Sequence, residues 1–271
     1  MVDHLRHILA DDPPANIASR LDRAALELAS IQFPDLVPDP WLNQLTELAS
    51  QLGDRLRNFN DGRDFVEKAQ AYLFGELGFH GNETEFFDPR NSCLNQVLER
   101  RIGIPITLSV LYMEVARRLR MPVFGVSLPR RFVIQFDDGR YATYIDPFGG
   151  GRTVTARECF AMAGAPVADP ALLQHATHKQ ILMRMLHNLQ HAYWQASDFE
   201  RAAATLDLLL LGAPDESAWY KLRGVAALKC KRYQAARQDL DKYLRLEPQA
   251  SDKDAVQQQL EAIHRWLAQV N

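Results

Sequence analysis

Two groups of residues in this chain have the types and spacing that covalent or metal chemistry would use. The first lies within residues 91–151, NSCLNQVLERRIGIPITLSVLYMEVARRLRMPVFGVSLPRRFVIQFDDGRYATYIDPFGGG. Cys93 opens a short predicted helix, 93–101, a setting that can lower a thiol's pKa. Asp146 ends a predicted strand and enters the Pro/Gly-rich turn IDPFGGG. A thiolate, a base, and a carboxylate that orients the base are the parts of nucleophilic acyl transfer. A single cysteine at a helix start is more commonly a small packed hydrophobe. The second group is HNLQH, with His187 and His191 four residues apart and His175 and His178 upstream. It differs from HExxH in having Asn188 where a zinc protease needs its glutamate. Zinc wants three or four converging ligands. No metal site and no cofactor are expected from this spacing.

Positioning the first group takes a helix and a sheet. Residues 105–119 are apolar at helical spacing and begin with Pro105, where the missing N–H costs nothing. Short strands are predicted at 123–127, 132–136 and 141–145. Upstream, residues 17–32 place Ile17, Leu21, Ala24, Ala25 and Leu28 on one helical face. FPDLVPDP interrupts that pattern. Further helices are predicted from Pro40 through Leu52 and over about 64–77. Residues 154–162 read as a short helix, and GAPVADP as a linker of the kind where domain boundaries fall.

The C-terminal part repeats itself. A shift of 34 residues aligns Phe199 with Tyr233, Ala202 with Ala236, Leu206 with Leu240, and Pro214 with Pro248. That is the period of tetratricopeptide helix–turn–helix units. The first unit has Gln190 where the second has the small Gly224. Residues 252–269 read as a helix that caps the array. In such arrays the first helix of each pair lines a concave surface. That register puts Arg184, His187, His191 and Trp194 on the groove from the first unit, and Lys221 and Lys229 from the second. Cations beside apolar patches suit a protein or peptide partner with acidic groups. The alternative is that two repeats and a cap simply pack onto the rest of the chain.

Composition narrows the classes. A net charge of −3 gives no field that would draw nucleic acid or an anionic membrane. No apolar run is long enough to span a bilayer, and the start, MVDHLRHILADDPP, does not read as a secretory signal. Cys93, Cys159 and Cys230 are far apart and odd in number, which fits a reducing cytoplasm better than a disulfide framework.

NSCLNQVLERRIGIPITLSVLYMEVARRL, LPRRFVIQF and YIDPFGGG together resemble the bacterial SirB-type family, as do YLFGELGFHGNETEFFDPRNS and LDRAALELASIQFPDL upstream. The resemblance implies an α+β transglutaminase-like domain of the papain-like superfamily over residues 1–165. An all-α tetratricopeptide module would follow over 178–271. It also implies where a catalytic triad would stand. Counting back from the MPV turn puts the nucleophile position near Pro105 or Ile106, where no side chain can attack. Members of the family often read PGHF where this chain reads PRRF, so Arg131 replaces an imidazole. A guanidinium does not give up its proton and cannot act as a general base. Asp146 alone matches its position. The expectation is a degenerate site, with Arg131 and Asp146 paired across adjacent strands. The alternative is a cysteine-dependent hydrolase or acyltransferase that uses Cys93.

Overall fold

The computed structural model describes residues 3–11, 20–57, 61–164 and 169–270. Ile17 of the predicted first helix and most of the GAPVADP linker lie outside the described residues. The chain divides into two compact units, residues 1–185 and 186–271.

The first unit is wound around one helix. Before it come α1 (Asp3–Asp11), α2 (Leu21–Ala29), α3 (Pro38–Arg55), α4 (Gly62–Gln70) and α5 (Leu94–Arg100). The central helix is α6 (Pro105–Arg118). Every residue of α6 from Pro105 to Ala116 is buried, so the helix is apolar on all sides because it has neighbours on all sides. On one side lie α2, α3 and α5. On the other is an antiparallel sheet in the order β3 (Val123–Leu128), β4 (Arg131–Asp137), β5 (Ala142–Asp146), β6 (Arg152–Val154). Alternation along β4 puts Phe132, Ile134 and Phe136 into the core, and Phe136 meets Phe65 of α4 at 5.4 Å between ring centroids. A two-residue parallel pair, β1 (His80–Gly81) with β2 (Ile102–Gly103), leads directly into α6.

Three details depart from the sequence reading. The helix predicted over 64–77 widens into a π-turn at Ala71–Glu76, where the Leu77 N–H reaches back to the Tyr72 carbonyl. Residues 152–154 form a strand, paired with β5, ahead of the short helix α7 (Ala156–Ala163). Thr155 and Glu158 close the start of α7 with reciprocal bonds of 3.2 and 2.7 Å, a capping box that pins its first turn. Third, α5, α6 and α10 (Ser217–Lys229) are followed by basic residues in the left-handed region, at Arg101, Arg120 and Lys231. Glycine is usual there. A cation gains from the negative end of the helix dipole.

The second unit consists of residues 186–195 of α8 (His178–Gln195), then α9 (Phe199–Gly212), α10, α11 (Tyr233–Leu246) and α12 (Lys253–Val270). The aligned small and apolar positions are its core: Ala202, Leu206, Ala236 and Leu240 are fully buried. Arg223 clamps successive units, with two bonds to Asp239 at 2.8 and 2.6 Å and one to Asp207 at 2.7 Å. Gly224 is where α10 meets α11. A Cβ there would lie 2.9 Å from Leu240 Cγ and 3.3 Å from Asp239 Cβ. Alanine at this position should be near neutral, because its helix propensity offsets the crowding. Gly224→Val, by contrast, is expected to cost about 2 kcal/mol from overpacking, read as a lower midpoint in thermal unfolding.

Candidate functional site

The start of α6 and the end of β5 are linked by a short chain of contacts. Gly81 pairs with Gly103, two residues before α6. A Cβ on Gly81 would stand 2.6 Å from the Phe148 ring, so the strand backbone rests on that ring. The Arg131 guanidinium lies over the same ring, 4.6 Å from its centroid. Its Nη2 donates to Asp146 Oδ2 at 2.8 Å. The Asp146 side chain is 1% exposed. A second cation, Arg152, has its Nε 4.0 Å from the same oxygen. The IDPFGGG turn wraps the acid closely. Gly149 and Gly151 both donate their N–H to the Asp146 carbonyl, and a Cβ on Gly149 would come within 2.6 Å of Oδ2. Gly151, at φ 71°, is pressed against Phe74. Phe86 covers Phe148 edge-on at 6.2 Å. Sequence reasoning missed Phe148, Phe86, Phe74 and Arg152. The FGGG run signals their crowding, since three consecutive glycines mark close backbone approach.

The pair can hold charge but cannot relay a proton, because a guanidinium stays protonated. Arg131 Nε and Asp146 Oδ1 are both buried and lack a hydrogen-bond partner among the described residues. Ile106 is 1% exposed in the first turn of α6. The Thr107 hydroxyl is fully engaged: it donates to the Asn91 carbonyl at 2.7 Å and accepts from the Ile104 N–H at 3.2 Å. That bond ties the NSC segment to the central helix.

Cys93 is elsewhere. It caps α5, is fully buried, and its thiol donates to the Pro89 carbonyl at 3.5 Å. Burial, and then Asp88, push the thiol up to about 12, with Arg100 opposing. Its charged neighbours are thus Asp88 and Arg100, and it makes no hydrogen bond to Arg131 or Asp146. The structure brings Arg131 to Asp146 and leaves Cys93 outside the pair.

The expected groove residues also separate. Arg184 belongs to the first unit, where its Nη1 donates to the Leu128 carbonyl at 2.7 Å and to Ser127 Oγ at 3.2 Å. It fastens the end of β3 rather than lining a groove. In the second unit His187 and His191 are exposed, and Trp194 meets Phe199 edge-on at 5.4 Å. Lys229 is exposed and lies 5.9 Å over the Phe199 ring. Lys221 is bound to Asp252, next to Tyr243. His175 is taken up by Gln135, at 2.8 Å, and by stacking on Phe124. Among the described residues no three His, Cys, Asp or Glu side chains converge on a metal position. No helix among them is long and apolar enough to cross a membrane.

A central helix packed on a small antiparallel sheet, with a buried acid at the end of the third strand, defines a transglutaminase-like unit. The chain belongs to the Transglutaminase-like superfamily, whose profile matches residues 39–187. A tetratricopeptide-repeat profile matches residues 189–261. The chain is similar to a UPF0162 protein of Xylella fastidiosa, 37% identical over 242 residues that cover 86% of this chain and 85% of that one. It is similar also to a UPF0162 protein of Pseudomonas aeruginosa, 32% identical over 262 residues, 93% and 92% of the two chains. A stretch of 155 residues, 53% of this chain, is 33% identical to F-box only protein 21 of Homo sapiens, where it covers 24%. Both parts of the architecture implied by the sequence resemblance are matched, and tetratricopeptide repeats point to a role in protein interaction.

Proposed function

We propose that this is a non-catalytic, cytoplasmic interaction protein, possessing a transglutaminase-like scaffold and repeats that bind a protein or peptide partner in a regulatory role. The observation that carries the reading is Arg131 seated on Asp146, a fixed cation where a base is required. The buried Ile106 and the unactivated Cys93 support it further. The partner-binding patch is His187, His191, Trp194 and Lys229, with Lys221 held to one side by Asp252. Lys229 has no carboxylate partner among the described residues and lies beside the Trp194–Phe199 pair. An acidic residue flanked by an apolar one would satisfy both features.

Thiol labelling tests the non-catalytic part. With a neutral disulfide reagent at pH 7.5, Cys230 is expected to react first, because it is half-buried while Cys93 and Cys159 are buried. The latter two, raised by burial to about 12 and about 11, should label only on unfolding. Fast stoichiometric labelling of Cys93 in the native chain would favour the hydrolase or acyltransferase instead. The partner-binding part is tested with the full-length chain as bait, where Lys229→Glu should abolish co-purification of whatever the wild type retains.

A further inference from the structure

We propose that an arginine-walled cavity at the C-terminal end of α6 binds a small organic anion carrying two or more negative charges and an apolar arm. The cavity lies within the first unit and has a volume of about 620 Å³, inside the range of small-molecule sites. It is distinct from the Arg131–Asp146 pair, which adjoins the opposite end of α6, about 20 Å away along the axis.

Four guanidinium groups line it, from Arg20, Arg117, Arg118 and Arg120, against one lining carboxylate, Glu114. Their donors are unequally committed. Arg118 is used up: it reaches Thr46 Oγ1, the Glu114 carboxylate and Asp22 Oδ2. It builds the wall and leaves nothing for a ligand. Arg117 binds Glu114 and Asp22 through Nε and Nη2, so its Nη1 remains uncommitted among the described residues. Arg20 approaches Asp22 through Nε at 3.5 Å, so its two Nη groups have no partner among the described residues. Arg120 is exposed and has no side-chain partner among the described residues. Three arginines with uncommitted N–H donors among the described residues thus line one space. Guanidinium forks match phosphate or carboxylate oxygens two at a time.

The rest of the lining is apolar apart from His178. Met113, Met121, Pro122 and Val123 form it with Phe124, which is 37% exposed and covered on one ring face by His175 at 4.2 Å. Burial, and then Asp22, push the Glu114 carboxyl up, with Arg117 and Arg118 opposing. Charge at one side and methionine and aromatic surface at the other select an amphipathic anion over free phosphate.

Calorimetric titration of the full-length chain tests this. The probes are 1-naphthyl phosphate, naphthalene-2,3-dicarboxylate, inorganic phosphate and 1-naphthol. Saturable binding of either aryl anion, at least tenfold tighter than phosphate and with no binding of naphthol, supports the site. The tighter of the two identifies the anion. Arg120→Ala should weaken binding about tenfold to a hundredfold, the size of a lost charge-assisted contact, and Arg120→Glu should weaken it further. Phe124→Ala should weaken the aryl anions and leave phosphate unchanged. Arg120 has no side-chain partner among the described residues, so its variants should stay folded and lose only the small contribution of a cation at the end of α6. Absence of saturation by both aryl anions overturns the proposal. So does unaltered affinity in folded Arg120→Glu.

Discussion

Replacing Asp22 with asparagine is expected to lower the unfolding free energy by about 3 kcal/mol. Asp22 is fully buried on α2 and receives Arg118 at 2.6 Å, Arg117 at 3.3 Å and Arg20 at 3.5 Å. Arg118 is itself only 12% exposed, so removing the acid leaves a buried cation with Glu114, at 3.0 Å, as its remaining carboxylate. Breaking one side of a buried pair is far costlier than the pair is worth. The pH dependence separates this effect from simple loss of packing. Burial alone would raise the Asp22 carboxyl, but Arg118, the Arg23 N–H and Arg20 together hold it below the ordinary aspartate range. Its contribution is therefore present at neutral pH and lost as pH falls through that lowered value. Glu114, raised by burial and by Asp22, has the opposite sign. The unfolded chain gives up that proton at lower pH than the folded one, so Glu114 lowers stability as pH rises above the usual glutamate range. Urea unfolding at several pH values should show Asp22→Asn flattening the acid limb of the stability curve. Glu114→Gln should flatten the side above it, with a smaller change at pH 7. Parallel curves for wild type and Asp22→Asn would mean that the charge network is not what holds α2 to α6.

The patterns that survive into the fold are those that one segment can carry alone. Pro105 with an apolar run behind it marks α6 because both the start signal and the length are local. Alternation marks β3, β4 and β5 for the same reason. A three-residue strand such as β6 is too short to show a period, and its existence depends on β5 offering an edge. Arg184 shows a different limit. Helical register gives the face of α8 on which it lies, but not that the Leu128 carbonyl is waiting there. Gly224 and Gln190 illustrate a third. The repeat assigns both to a close-packed position, yet Gln190 is accommodated at 5% exposure while a Cβ at Gly224 would already crowd Leu240 at 2.9 Å. At the site, position in the strands places Arg131 and Asp146. Of the aromatic rings around them, Phe86 and Phe148 come from loops, where no periodicity exists to read, and Phe74 from the π-turn that breaks the period of its helix.

Arg131→Met is expected to be the second large loss, about 3 kcal/mol. It leaves Asp146 at 1% exposure with Arg152 4.0 Å away as its remaining cation. Asp146→Asn alone should cost less, because Arg131 is 27% exposed and can turn toward water. Its aliphatic stem would still pack on Phe148. The double variant Arg131→Met with Asp146→Asn should recover most of the loss. A coupling energy of about 2 kcal/mol or more in that cycle, measured by denaturant unfolding, makes the pair a structural clamp. Arg131→His separates structure from chemistry. An imidazole there would supply the base that the site lacks, but Ile106 offers no nucleophile and Thr107 has its hydroxyl engaged at both ends. The histidine variant should therefore fold less stably than wild type and release no acyl group from a thioester or activated ester. Measurable acyl release by Arg131→His would place a competent nucleophile within reach of β4, and the inert-scaffold reading would then be wrong.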